Sequence, residues 1–415
     1  MTPTPRASYA LLAIAVVALL VPPAVAVALG VLLSAGVIFD LVAARRRLRA
    51  RRTMPRVMAR GVPASLSVET DARRPERVEI RQAQPPDVTI DPRVATGRLD
   101  ARVVAHRRGE MTFAPISARQ VGPLGLGRRT FDGEGAANAL VYPDVYAAQR
   151  LVVALRRGRF RDPGLRTRGP LGLGTDFESI RDYQPDDDVR QINWTATARV
   201  GRPMSNVYRI EQDRDVVCLL DAGRLMTAPM GPMTRLDACV DAITTVALVA
   251  DELGDRCGTT VFDAEVVRRL APRRNGGRAV VRTILDIEPR EIDSDHDLAF
   301  RSVGGAKRAL VLVYTDLVDE AAARSLMDAM PLLARRHAVV VASVRDPDLD
   351  AAVSRPPETL HDVYAAAVAA DVLAARRRVV ARLQHAGAEV VEAGPAALGE
   401  ACVRAYLQLK ARARL

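Results

Sequence analysis

Lysine is almost missing from this chain: Lys307 and Lys410 are the only two among its 60 basic residues. Its positive charge is therefore carried by arginine, a planar fork that stays charged. Cysteine is scarce too. Cys218, Cys239, Cys257 and Cys402 show no paired short spacing, which excludes a disulfide framework and a zinc pattern. They read as small buried hydrophobes in a reducing compartment. The five histidines (His106, His296, His337, His361, His385) stand isolated, outside any HExxH or Ser-His-Asp context. Neither GxGxxG nor GxxxxGK[ST] occurs, which removes the usual phosphate loops. What is present, 49% hydrophobic and 26% charged residues, is the composition of a folded protein.

The net charge of +11 is local. Arg45, Arg46, Arg47, Arg49, Arg51, Arg52, Arg56 and Arg60 supply +8 of it and leave the rest of the chain at +3. A second basic stretch, Arg156 to Arg168, has only Phe160 for base stacking, so nucleic acid is not an expected partner.

Ahead of the arginine block, Ala7 to Phe39 carries no charge over 33 residues. As one helix it would measure ~50 Å, against a hydrocarbon core of ~30 Å. Pro22-Pro23 interrupts it, and a diproline suits a turn better than a helix interior. The reading is a transmembrane hairpin, Tyr9–Val21 and Ala24–Val42, forming an anchor over residues 1–44. A basic juxtamembrane linker follows at 45–60. Arginines after a span resist export, which implies a multi-pass protein of the inner (cytoplasmic) membrane, with the bilayer as partner and the body in the cytoplasm. The rival is a signal peptide cut near Ala24-Val25-Ala26, giving an outward-facing receptor.

Residues 61–145 alternate with period two, as in Val78-Glu79-Ile80-Arg81 and Leu99 to Ala105, which predicts a small β-rich, sandwich-like domain. Residues 146–210 read as a linker that includes a distinctive segment at 172–199. From 211 to 415 strands and helices alternate: apolar runs at 216–220, 259–262, 309–313, 338–344 and 389–391 are separated by helical patterns. This predicts an α/β fold with an open parallel sheet. Ligands of such sheets sit at the carboxyl ends of the strands, where Asp221 and Asp316 fall.

The distinctive segment contains Gly174, Asp176, Phe177, Arg181, Tyr183, Asp187, Asp188, Arg190, Asn193, Trp194 and Arg199. It resembles the signature of the domain of unknown function 58 family, with Asp186 standing where that family has glycine. The resemblance implies two N-terminal spans, a β-rich middle region and a von Willebrand factor A-like end. It also implies association with MoxR-type AAA+ ATPases and no established enzymatic activity. On the residues alone, the acids and arginines around Tyr183 and Trp194 read in three ways. One is an aromatic plug docked onto the α/β domain, another a partner-recognition surface, the third a carboxylate site for a metal-dependent hydrolase.

Von Willebrand A modules hold a divalent ion with Asp-x-Ser-x-Ser, a threonine and a second aspartate. Here Asp221 is followed by Gly223 and Leu225 in place of both serines, and Asp316 matches the second aspartate. The site therefore reads as degenerate, with Arg224 or Arg278 as the cation's substitute. Mg²⁺ is the ion it would otherwise take, and no other cofactor is implied. The cluster Asp293-Ser294-Asp295-His296-Asp297 reads as a solvated loop. The leading expectation is a membrane-anchored, non-catalytic interaction or scaffold protein.

Overall fold

The computed structural model describes residues 2–45, 48–157, 176–184, 187, 189–209, 213–231, 233–303, 308–318 and 320–411. The chain divides into two units, Met1–Tyr142 and Pro143–Leu415.

The first unit begins with helix α1 (Pro5–Val17) and helix α2 (Pro23–Ala43). Each has a proline in its first turn, where the missing N–H has no intrahelical partner to lose. The diproline thus starts α2 instead of breaking it. With 21 residues, α2 is the one helix among the described residues long and apolar enough to cross a membrane. α1 has 13 residues and, at about 20 Å, falls short of the hydrocarbon thickness. The structure therefore supports one candidate span, and the expected multi-pass arrangement is reduced to that.

Seven residues after the end of α2, at Ala50, a run of strands begins, in three sheets around one apolar core that includes Leu66, Val68, Ile80, Ile90, Leu99 and Phe113. Strand Leu99–Ala105 shows the period-two rule: Leu99, Ala101, Val103 and Ala105 are buried while Asp100 and Arg102 are exposed. Two strands, Ala50–Thr53 and Val57–Ala59, fall inside the stretch expected as a basic linker. The reason is Arg52. It is buried, and its guanidinium donates to Gln82 Oε1 at 3.1 Å, Ala114 O at 3.0 Å and Gly135 O at 2.8 Å. Burial lowers its pKa and Glu134 opposes that. One arginine of the block is thus an internal strut.

The second unit is built on a six-stranded sheet of β1 (Asp215–Asp221), β2 (Arg256–Phe262), β3 (Val266–Arg274), β4 (Leu310–Tyr314), β5 (Ala338–Val344) and β6 (Glu389–Ala393). Its order is β3-β2-β1-β4-β5-β6, parallel except for β3, which runs antiparallel to β2. β3 was not expected. Its sequence VVRRLAPRR lacks an apolar run, and only an edge strand tolerates such arginines and Pro272.

Successive residues of β1 face opposite ways. Val216, Cys218 and Leu220 join a core with α5 (Arg235–Glu252), α6 (Gly277–Ile284) and α11 (Leu398–Ala411). Val217 and Leu219 join another with α7 (His296–Ser302), α8 (Arg324–Arg336) and the end of α10 (Leu360–His385), which follows the short α9 (Pro347–Ser354). All four cysteines are buried and free, and burial pushes the Cys402 thiol up to about 12. Helix α3 (Val145–Arg156) occupies the start of the stretch expected as linker, 146–210, and its Arg156 pairs with Glu252 of α5 at 2.5 Å. α7 likewise replaces part of the expected acidic loop: Asp295 caps it by accepting from Leu298 N at 3.0 Å.

Candidate functional site

Parallel strands β1, β2, β4 and β5 all end on the same edge of the sheet, and their ends carry the polar residues that a buried sheet otherwise excludes. Asp221 closes β1, Asp263 follows β2, Thr315 and Asp316 follow β4, and Ser343 sits near the end of β5. All five are buried. A buried carboxylate must find charge or donors nearby, and the two central aspartates do so differently.

Asp316 is held by two arginines. Arg235, the first residue of α5, donates Nη1 to Asp316 Oδ2. Arg376, in the middle of α10, reaches Oδ1 at 3.3 Å. Arg376 also donates to Ser343 Oγ at 2.7 Å, Val344 O at 2.8 Å and Glu392 Oε1 at 2.5 Å. One guanidinium thus ties α10 to the ends of β4, β5 and β6.

Asp221 is held by neutral donors: Gly223 N at 2.8 Å, Ser294 Oγ at 2.5 Å and Thr315 Oγ1 at 2.6 Å. A Cβ at Gly223 would collide with Ser294 Oγ, so glycine there is a requirement of close packing. The hydroxyl that the local motif lacks arrives from Ser294, in another loop. His296 Nε2 stands 3.9 Å from Asp221 Oδ2, and its ring packs edge-on against Phe262. Because a carboxylate only accepts, the Thr315 proton goes to Asp221. Thr315 Oγ1 can then only accept from His296, whose Nε2 is 3.4 Å away, and His296 Nδ1 shares a hydrogen bond with Ser325 Oγ at 2.8 Å. Burial lowers the His296 pKa below the usual 6.5, against the pull of Asp221 and Asp295.

The expected cation substitutes are elsewhere. Arg224 pairs with Asp293, and Arg278 lies close enough to Asp251 to counter the upward push of burial on that carboxyl. Arg235 and Arg376 fill the role at Asp316 instead. Their signal in the sequence was faint: Arg376 shares a helical face with Val379 and Leu383, a lone charge on an apolar stripe. The donor set does not fit the divalent ion that the resemblance implies. Mg²⁺ needs near-octahedral oxygen ligation, and guanidinium groups already occupy both oxygens of Asp316.

The distinctive segment forms a separate pair of antiparallel strands, Asp176–Asp182 with Met204–Arg209, and α4 (Trp194–Val200) lies in the connection between them. Gly174 and Asp188 lie outside the described residues, and Asp176, Phe177 and Arg190 are described as backbone. Arg181 Nη2 donates to Asp187 Oδ1 at 2.6 Å, Gln184 N donates to Oδ2 at 2.9 Å, and Tyr183 Oη donates to Asp187 O at 3.0 Å. The Gln184 amide, then Arg181, holds the Asp187 carboxyl below its usual range. Asn193 caps α4 by accepting from Ala196 N at 2.9 Å and reaches Asn206 Oδ1 at 2.8 Å. These bonds fix the turn and helix on which Trp194 stands. Trp194 itself is 70% exposed, as are, to a lesser degree, Ile180, Val189 and Val200. The Trp194 ring is therefore not buried against the described residues of the α/β domain, as a docked plug would be. Arg199 is exposed as well.

Residues 179–385 match the family described as Protein of unknown function DUF58. The DUF58 match starts in the strand Asp176–Asp182 and ends on the last residue of α10, so it takes in Trp194, Asp221, Asp316 and Arg376. Uncharacterized protein Rv1480 of Mycobacterium tuberculosis and Uncharacterized protein Mb1516 of Mycobacterium bovis are each 22% identical over 182 residues. Those alignments cover 42% of this chain and 56% of each relative, so the chain spans about half the length of the curated relatives it matches. Among solved structures, a PKD domain of an M14-like peptidase from Thermoplasmatales archaeon SCGC AB-540-F20 aligns with 20% of this chain and 92% of that one. Its identity is 12% and its TM-score 0.15, a likeness that supports no argument.

Arg376→Met leaves Asp316 and Glu392 short of a buried cation and is expected to cost about 3 kcal/mol of stability. Arg301→Ala, which removes an exposed i,i+4 pair with Asp297, should cost under about 0.5 kcal/mol. Chemical denaturation of the two variants compares them; equal costs would contradict the buried role of Arg376. The pH dependence has a definite sign. Above pH 6.5 His296 is neutral folded and unfolded alike; as pH falls, the unfolded chain is protonated first and stability drops until the lower folded pKa is passed. His296→Gln should therefore show a shallower fall in Tm between neutral and mildly acidic pH than the native chain. Parallel slopes would refute a buried neutral imidazole.

Proposed function

We propose that this chain is a membrane-anchored, non-catalytic interaction protein that presents its DUF58 segment to a cytoplasmic partner. By the family resemblance, that partner is a MoxR-type AAA+ ATPase engaged in complex assembly or chaperone-like work. The observation that carries the reading is the exposure of Trp194. A large aromatic ring costs free energy in water. Here it stands on a helix whose start is fixed by two Asn193 hydrogen bonds. An anchored, protruding tryptophan is the residue most often found at the centre of a protein–protein interface.

Three further features support it. The order β3-β2-β1-β4-β5-β6 with an antiparallel edge strand is the arrangement a von Willebrand A-like domain would have, and such domains serve adhesion and assembly. Arg235 and Arg376, both on Asp316 at the carboxyl edge, support a module that works without metal. α2 supplies the membrane span, α1 accompanies it as a shorter apolar segment of a hairpin, and the arginines after α2 keep the sandwich-like β-rich unit and the α/β unit on the cytoplasmic side.

The test is binding of the full chain, in nanodiscs, to a purified MoxR-type ATPase. Trp194→Ala should weaken binding by about thirtyfold, the loss of a ~2 kcal/mol hot spot, with an unchanged melting temperature because the ring is exposed. Native affinity in the Trp194→Ala protein, or no binding by the native chain, would overturn the proposal.

A further inference from the structure

Within the first unit, an aspartate lies in the apolar helix α2. Asp40 is buried, and its carboxylate accepts three backbone N–H groups from one turn: Leu124 at 2.8 Å, Leu126 at 2.6 Å and Gly127 at 3.0 Å. That turn, Gly122-Pro123-Leu124-Gly125-Leu126-Gly127, joins strands Ser117–Val121 and Gly127–Asp132 of the β-rich sheet.

The glycines are shaped to Asp40. A Cβ at Gly122 would collide with its carboxylate, and one at Gly127 would stand 2.9 Å from its Cβ. The leucines reach further along α2. A Cβ at Gly36 would stand 3.0 Å from Leu126 Cδ1 and 3.5 Å from Leu124 Cδ1. Gly36 precedes Asp40 by one helical turn, about 6 Å toward the middle of the apolar run.

The backbone of the turn has no amide left for water. Gly122 N donates to Gly127 O at 2.9 Å and Gly125 N to Gly122 O at 3.1 Å. Asp40 takes the amides of Leu124, Leu126 and Gly127, and Pro123 has none. Thr4 donates its N–H to Leu126 O at 2.8 Å and its hydroxyl to Gly125 O at 2.6 Å. An ordinary surface turn leaves such groups to solvent. A turn at bilayer depth cannot, because an unsatisfied amide in hydrocarbon costs several kcal/mol. A carboxylate in a span must likewise be matched by donors. At the tip, Pro123 and Leu124 are exposed and apolar.

Resting on the membrane reading of α2, we infer that the turn Gly122–Gly127 is a wedge of the β-rich unit that dips into the acyl-chain region beside α2. Its tip, Pro123 and Leu124, contacts lipid. Asp40 is the positioning residue that holds the wedge and accepts the hydrogen bonds of its amides. The β-rich unit is therefore seated in the bilayer surface and is not hung from it by a flexible linker.

The experiment is fluorescence quenching of single-tryptophan full-length proteins in nanodiscs of phosphatidylcholine brominated near the headgroup or deeper in the chain. In a Trp194→Phe background, Leu124→Trp places the reporter at the exposed tip, Pro123→Trp provides a second tip reporter, and Leu32→Trp reports on α2. Quenching of both tip reporters, chiefly by the shallower bromines, together with quenching at position 32, is the expected result. Unquenched tip reporters alongside a quenched Leu32→Trp would overturn the wedge and leave the span intact. Absence of quenching at all three positions would overturn the span and the wedge with it.

Discussion

The second unit depends on how one buried carboxylate, Asp316, is neutralised. Two guanidinium groups from helices far apart in sequence meet on it, and through Arg376 the same cluster engages Ser343, Val344 and Glu392. An isolated carboxylate in such an interior is costly enough to be avoided, whereas one that is paired and hydrogen-bonded is tolerated and fixes geometry. The cluster holds the N-terminus of α5 and the middle of α10 to the ends of three strands. It also places fixed positive charge along the edge where open α/β sheets usually receive a ligand.

Along that edge the two central aspartates are satisfied in different ways. Asp221 accepts from two hydroxyls and an amide, with His296 Nε2 3.9 Å from its Oδ2. Among the apolar side chains that the second unit exposes is Trp194, beside the antiparallel strand pair, on a helix whose start is held by Asn193. The first unit repeats the device in another setting. There Asp40 is satisfied by the amides of a glycine turn, so that a β-rich unit is fastened to an apolar helix.

The parts of this structure that were legible in the sequence are those set by local burial. Val216 to Leu220 and Ala338 to Val344 are continuous apolar runs because both faces of their strands are covered. Asp221 and Asp316 stood out because each follows such a run. The strand Val266–Arg274 was not legible, since an edge strand needs no apolar pattern. Nor was the partnership of each charge. Ser294 is 73 residues from Asp221, Arg376 is 60 from Asp316, and Leu124 is 84 from Asp40. Periodicity tells which side of an element is buried; it does not tell which distant side chain meets a buried charge. The glycine turn was hidden for a further reason. Its six residues recur unchanged at 169–174, outside the described residues, so composition alone did not single it out.

The central claim is that Arg235 and Arg376, and no divalent ion, neutralise Asp316. Calorimetric titration of the full chain in detergent with Mg²⁺ and then Mn²⁺ tests it most directly. The account predicts only dilution heats for both ions. Saturable micromolar binding that disappears in Asp221→Ala or Asp316→Ala would contradict it.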